Sequence, residues 1–314
     1  MCMSHFKVSA PGSTMLLGEY AVLHRGWALV CAVDQRVTVQ LTPRTDNQIE
    51  IISSLGSYQT QLMQLEIVPP FQFVLAALKK YQKQLKQGCT LTIQSEFSEK
   101  IGLSSSAAVT VATLSAITMW LQITYTPMQL IQRARRIVQQ VQGMGSGADV
   151  AAAVLGGVVA YRQQPLVAEK MCWISALNLI YSGSKTPTAI AINQVETRFA
   201  KYPILYKQIL RAIDACAQQG ISAIKNGDNK ALGQVMTIQQ GLMQALGVNT
   251  PVLQGLIEEL ILQPMILGAK ISGSGLGDSV IALGTLIEDY VPCFSEQGTK
   301  RIPMMIAPEG VTVC

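Results

Sequence analysis

The chain has 314 residues, 49% of them hydrophobic and 14% charged, with 24 Lys and Arg against 19 Asp and Glu. That length and apolar content fit one large or two ordinary domains and exclude a disordered chain. The net charge of +5 is scattered, with no basic run longer than a pair such as Arg135-Arg136. Nucleic acid is therefore not the expected partner, whereas a small-molecule anionic substrate suits the mild basic balance.

The seven cysteines, from Cys2 to Cys314, include no CxxC pair and are odd in number. They read as reduced core residues of a cytoplasmic protein, Cys31 and Cys172 among them. With His5 and His24 as the two histidines, a His/Cys zinc site has little to draw on. The opening MCMSHFKVSAPG lacks the apolar stretch of a signal peptide.

In chain order, FKVSA (6–10) and the Val-rich ALVCAVDQRVTVQLTP (28–43) read as strands, followed by IEIIS (49–53) and a Gln-rich stretch near 58–66. Pro69-Pro70 opens a helix in FQFVLAALKKYQKQL, with Lys on the face opposite the apolar positions. CTLTIQS (89–95) is a strand, and a loop (96–104) leads into IGLSSSAAVTVATLSA (101–116). No charge occurs from Ile101 to Gln132, which raises the question of a membrane span. Ser and Thr dilute the run too heavily, and a buried helix is the expectation. Pro127 starts a further helix, a glycine loop (143–147) interrupts, and GGVVAYR (156–162) is a strand.

After about residue 165 the texture changes. CWISALNLIYSG is a strand candidate, and three or four helical segments follow between Ala189 and Leu262, separated by Gly220, Asn226-Gly227, Gly247 and Pro251. GAKIS and SVIALG are strands around a glycine loop, and RIPMMIAP is a final strand. Mixed strands with segregated helices predict an α+β protein of two lobes, 1–165 and 166–314.

Four glycine and serine loops carry the chemistry: APGSTMLLGEYAVLHRG (10–26), GLSSSAA (102–108), QGMGSGADVAAAVLGG (142–157) and GAKISGSGLGDSVIALG (268–284). In the second, small residues before a helix let its unpaired N–H groups approach a phosphate, with Ser hydroxyls as added donors or a magnesium ligand. It is not a Walker loop, because GKS and GKT are absent. Taken singly, each has a plainer reading: a Ser N-cap for the second, a hairpin turn for the fourth, and an Asp N-cap for Asp149 in the third.

Taken together, the four motifs in this order and spacing resemble the GHMP kinase family of small-molecule kinases, over essentially the whole chain. The resemblance implies an N-terminal ribosomal-protein-like α+β lobe (1–165), a ferredoxin-like C-terminal lobe (166–314), and ATP and Mg2+ as cofactors. It places Gly102, Leu103, Ser104, Ser105, Ser106 and Ala107 around the ATP phosphates, with Ser106 on the metal. It makes Asp149 the carboxylate that orients or deprotonates the attacking group. Glu19, Tyr20, Ser146, Gly147, Gly273, Ser274, Gly275 and Gly277 fall at substrate positions.

Within the family, GEYAVL (18–23), the 142–162 segment and GLGDS (275–279) are most similar to the phosphomevalonate kinase branch. Mevalonate kinases carry instead an upstream acidic metal ligand, where this chain has Val138. A phosphate acceptor, already ionised, would leave Asp149 an orienting role; a mevalonate hydroxyl, the alternative acceptor, would need more help from it. Ser13 stands where the family has a lysine beside the transferred phosphate, and Ser104 where it has a glycine. Lys185 and Lys270 are the candidate replacement cations, with Lys185, Ser13 and Asp149 taken as the catalytic set. The lost lysine also keeps open a catalytically impaired nucleotide-binding relative. Homodimers are frequent in the family.

Overall fold

The computed structural model describes residues 5–98 and 101–314, so Cys2 and part of the 96–104 loop lie outside the described residues. The long hairpin of β1 (Phe6–Leu17) and β2 (Trp27–Pro43) forms the spine of the first sheet. β2 serves two neighbours. Its second half pairs antiparallel with β5 (Cys89–Ser95), and its first half pairs antiparallel with β6 (Val158–Arg162). The sequence accounts for the division. Ala28–Val33 is uninterruptedly apolar and buried on both faces, whereas Val37, Val39 and Leu41 alternate with half-exposed Thr38 and Gln40. β3 (Gln48–Ser53) runs parallel to β5 and turns back into β4 (Gly56–Gln61).

Helices α1 (Gln72–Tyr81), α2 (Ser105–Trp120), α3 (Pro127–Gln142) and α4 (Ala148–Leu155) form one apolar core with this sheet. α2 lies at its centre and is buried on most sides, from Ala107 to Thr118. Its hydroxyls fit an apolar setting because some bond back to their own helix: Thr110 Oγ1 donates to Ser106 O at 2.6 Å and Thr118 Oγ1 to Ser115 O at 3.0 Å. Among the described residues no helix is long and apolar enough to cross a membrane. α3 starts at a Thr126/Gln129 capping box with Pro127 in its first turn, and Gly143 ends it.

The chain continues past residue 165 in the first sheet, because β7 (Val167–Met171) pairs with β6. The second sheet then runs β11 (Lys300–Ile302), β8 (Leu177–Tyr181), β10 (Ser279–Gly284), β9 (Ile266–Ser272), all antiparallel. Four helices are inserted between β8 and β9: α5 (Thr188–Phe199), α6 (Pro203–Lys225), α7 (Asn229–Leu246) and α8 (Pro251–Ile261). This is the α+β, two-lobed architecture expected. A shared apolar layer joins the lobes: Leu16, Leu29 and Cys31 of the first sheet pack with Leu179, Ile281 and Leu283 of the second.

Several local expectations are corrected. Gly220 does not separate helices; it lies inside α6, where a Cβ would come within 2.2 Å of Leu17 Cδ1. It is glycine because α6 packs there directly on β1. The final strand is shorter than RIPMMIAP, ending before Pro303, which has no N–H to donate. The chain then returns to the first sheet through a Val33–Ile306 bridge, and β12 (Thr312–Val313) pairs with β1. Cys172 is exposed, whereas Cys31, Cys89 and Cys216 are buried thiols.

Candidate active site

The first motif is strand rather than loop. β1 runs straight through Ala10–Leu17, and β2 accommodates it by bulging between Val33 and Arg36, opposite Gly12 and Pro11. At Gly12 a Cβ would lie 2.9 Å from Leu103 O and 3.0 Å from the Phe97 ring. The bare backbone lets the second motif lie across β1, and Ser13 N–H donates to Leu103 O at 3.1 Å. Ser13 is thereby buried beneath that loop.

The second motif enters α2 through Gly102 (φ +79) and Ser104 (φ 54, ψ 43). Ser104 occupies the left-handed region, which explains why a glycine suits this position. Ser104 does not cap its own helix; its side chain hydrogen-bonds Asp149 instead. The first amide bonded back to the loop is that of Ala107, to Ser104 O at 3.0 Å. The amides of Ser105 and Ser106 are thus left for an outside acceptor. Ser105 and Ser106 are half-buried, and Ser106 Oγ accepts from Gln142 Nε2 at 3.4 Å.

In the third motif, Gly147 (φ +87) precedes α4, and a Cβ there would strike the Arg135 side chain at 2.5 Å. Tyr161 Oη donates to Ser146 O at 2.6 Å, and Arg135 Nη1 donates to Tyr161 Oη at 3.4 Å, so the loop is pinned from behind. Asp149, in the first turn of α4, is half-buried. Burial raises its pKa, opposed by its own backbone N–H and by Ser104.

The fourth motif joins β9 to β10 through a run of positive φ: Gly273 (+93), Gly275 (+73), Leu276 (+60), Gly277 (+133) and Asp278 (+62). Three elements hold it. Tyr20 Oη donates to Ser274 O at 2.7 Å, Leu276 N–H to Val248 O at 2.7 Å, and Asp278 N–H to Ser184 O at 2.8 Å. Ser279 Oγ reaches Ile101 O at 3.4 Å, so this loop touches the second motif.

The two candidate cations part company. Lys270 is fully buried and bonds Glu19 and Ile271 O; Gln239 Nε2 donates to the other Glu19 oxygen at 2.5 Å. Burial pushes the Lys270 ammonium down and Glu19 opposes this. Both charges are spent on one another between the lobes, so Glu19 does not face a cleft and Lys270 does not replace the lysine absent at Ser13. Lys185, exposed on the loop after β8, acts electrostatically on Asp278.

Two features escaped the sequence reading. A cavity of about 500 Å3 is lined by Leu55, Phe71, Ile93 and Phe97, with Ser105 and Ser106 at one border. Its walls come from β2, β3, β5, α1 and α2, which no local pattern connects. A second cavity, of about 610 Å3, lies between His24, Arg162 and α6 and shares no lining residue with Gly102–Ala107, Asp149 or Gly273–Asp278. The other omission is Asp278, visible in GLGDS but unassigned. It is 7% exposed, and its Oδ1 has no hydrogen-bond partner.

An open helix start, a carboxylate one hydrogen bond away and an apolar cavity alongside can seat a polyanion and address whatever group approaches its end. That defines a phosphate-handling α+β protein of two lobes. Residues 72–157 match the GHMP kinases N terminal domain and residues 220–288 the GHMP kinases C terminal domain. The mevalonate kinase of Archaeoglobus fulgidus is 30% identical over 276 residues, covering 88% of this chain and 91% of that one. The mevalonate kinase of Methanothermobacter thermautotrophicus is 27% identical over 274 residues, covering 87% and 88%. The chain belongs to the GHMP kinase family. The fold is also that of Streptococcus pneumoniae phosphomevalonate kinase in complex with phosphomevalonate and AMPPNP, with a TM-score of 0.79 at 16% identity over 97% and 100% of the two chains.

Proposed function

We propose that this chain is an ATP- and magnesium-dependent kinase of the mevalonate pathway that phosphorylates the hydroxyl of mevalonate. Both sequence relatives described above are mevalonate kinases, which favours this acceptor over phosphomevalonate, the first expectation from GEYAVL, the 142–162 segment and GLGDS. The carrying observation is Asp149: a carboxylate made more basic by burial, held by Ser104 at the edge of the phosphate loop. A hydroxyl nucleophile must lose its proton on attack, and a raised carboxylate is suited to take it. A phosphate acceptor needs extra positive charge rather than a base. Here Ser13 is neutral and Lys270 is consumed by Glu19.

The residues fit the nucleotide. The uncapped start of α2 offers backbone donors and a partial positive charge to phosphates, and the adjoining apolar cavity suits a flat base. Ser106, at the start of α2, would offer magnesium a hydroxyl ligand, and the ion, when bound with ATP, would supply charge neutralisation during transfer. Asp149 orients the acceptor and receives its proton. The Gly273–Gly277 loop, braced by Tyr20, brings backbone close to the acceptor side.

A coupled ADP-release assay of the purified protein with ATP and Mg2+ tests this. Turnover is expected with mevalonate, and Asp149→Asn should lower kcat by about 100-fold or more with little change in melting temperature. Turnover with phosphomevalonate but none with mevalonate would reverse the choice of acceptor. Nucleotide binding without turnover on either would favour the impaired relative suggested by Ser13.

A further inference from the structure

Asp278 has no part in the proton transfer described, yet its position is unusual. The carboxylate sits where the fourth motif meets the second. A Cβ built on Gly102 would lie 3.4 Å from its Oδ1, and one built on Gly273 would lie 3.5 Å from its Oδ2. The backbone is fixed on both sides, with Asp278 N–H donating to Ser184 O at 2.8 Å and Asp278 O accepting from Ser182 N–H at 2.9 Å. This double clasp fixes the Cα position from which the side chain projects. Its φ of +62 is a strained value for a non-glycine residue. Oδ1, aimed at the phosphate loop, has no partner. An oxygen so placed lacks the bond that nearly every buried polar atom makes.

The surroundings say what kind of partner is wanted. Lys185, from the loop after β8, is the cation acting on the carboxylate. Tyr20 and Tyr181 face it as well, and its negative charge raises both phenols, though less than burial does. Ser274 also lowers the carboxylate through a side-chain hydrogen bond. Phosphates seated at the start of α2 would bring further negative charge against Gly102. An ionised carboxylate beside them is tolerable where a cation lies between. Among the described residues no group of three or more His, Cys, Asp or Glu side chains is placed to hold a metal. Magnesium takes most of its ligands from phosphate and water, and a single protein carboxylate matches that habit.

We infer that Asp278 is the protein carboxylate that would face the divalent cation travelling with the nucleotide, from the fourth motif where it lies against Gly102 of the phosphate loop. Such a cation would join the lobes, since α2 belongs to the first sheet's core and Asp278 directly precedes β10 of the second sheet. The inference rests on the kinase reading but not on which acceptor is used.

The test is Mn2+ binding to the full chain in the presence of ADP, followed by the electron paramagnetic resonance of the ion, with ADP binding in EDTA measured separately by calorimetry. In Asp278→Asn the Mn2+ dissociation constant should rise about tenfold or more, while metal-free ADP binds as well as before or more tightly, because one repelling charge is gone. Asp278→Gly should behave alike, and glycine is unstrained at this φ, so a folded variant is available if the first is poorly behaved. A variant that loses ADP binding equally with and without Mn2+ makes Asp278 a loop-holding residue and overturns the inference. Unchanged Mn2+ affinity in either variant overturns it also. Failure of the wild type to bind Mn2+ with ADP overturns it together with the kinase reading.

Discussion

The side chain of Ser104 hydrogen-bonds the carboxylate of Asp149, tying the first residue before α2 to the first turn of α4. In this position the family resemblance expects a glycine, and the left-handed φ of 54 shows why. Serine accepts a backbone cost of about 1 kcal/mol there and supplies a hydrogen bond that glycine cannot. The phosphate loop and the acceptor carboxylate are thus coupled directly.

Ser104→Ala should shift the acid limb of the pH–rate profile to higher pH. The Ser104 bond stabilises the ionised form of Asp149 and lowers a pKa that burial raises. Its removal leaves burial less opposed, and the base becomes protonated at a higher pH. An unmoved acid limb in the ADP-release assay would show that Asp149 does not govern it.

Asp278→Asn should stabilise the apo protein at neutral pH. Burial raises Asp278 from 3.8 to about 6, against the opposing Lys185. Between those values the folded chain holds a proton that the unfolded chain has released, so stability falls as pH rises through this window. Two pH units at about 1.4 kcal/mol each give about 3 kcal/mol. Urea unfolding of the wild type at pH 4 and pH 7 should reveal that loss, and the Asn variant should lack it.

Glu19→Gln should destabilise by about 3–5 kcal/mol, because it leaves the Lys270 ammonium buried without its counter-charge. The pH dependence has a definite sign. Lys270, already lowered by burial from 10.5, is lowered further once the carboxylate is gone. The unfolded chain then binds more protons than the folded one, so the variant should regain stability as pH rises toward 10. Glu19→Gln with Lys270→Met should cost less than Glu19→Gln alone. Denaturant midpoints for the set measure this, and equal midpoints would mean that the pair does not bind the lobes together.

Much of the site was legible because its parts are local. GLSSSAA announces a loop feeding a helix, and GSGAD places an acid in the next helix's first turn. The strands followed from alternation in VTVQL and from the continuous apolar run of ALVCAV. What misled was local as well. Gly220 looked like a breaker, yet it is a contact point for Leu17, 203 residues away in the chain. Lys270 reads as a spare cation in the sequence, and only the fold brings its partner, Glu19, to it across the lobe boundary.

By itself, the sequence determined the order of elements, the two sheets' apolar patterns and the four loops, since periodicity, glycine and capping residues act within a few positions. Tertiary structure alone decided which charges are spent and which remain. Lys270 and Glu19 neutralise one another because β9 and the turn after β1, far apart in sequence, meet in a buried layer. Asp278 keeps an unpartnered oxygen because its loop folds back against Gly102. Burial and distance between remote segments set the energy of a charge, and neither is written in the residues on either side of it.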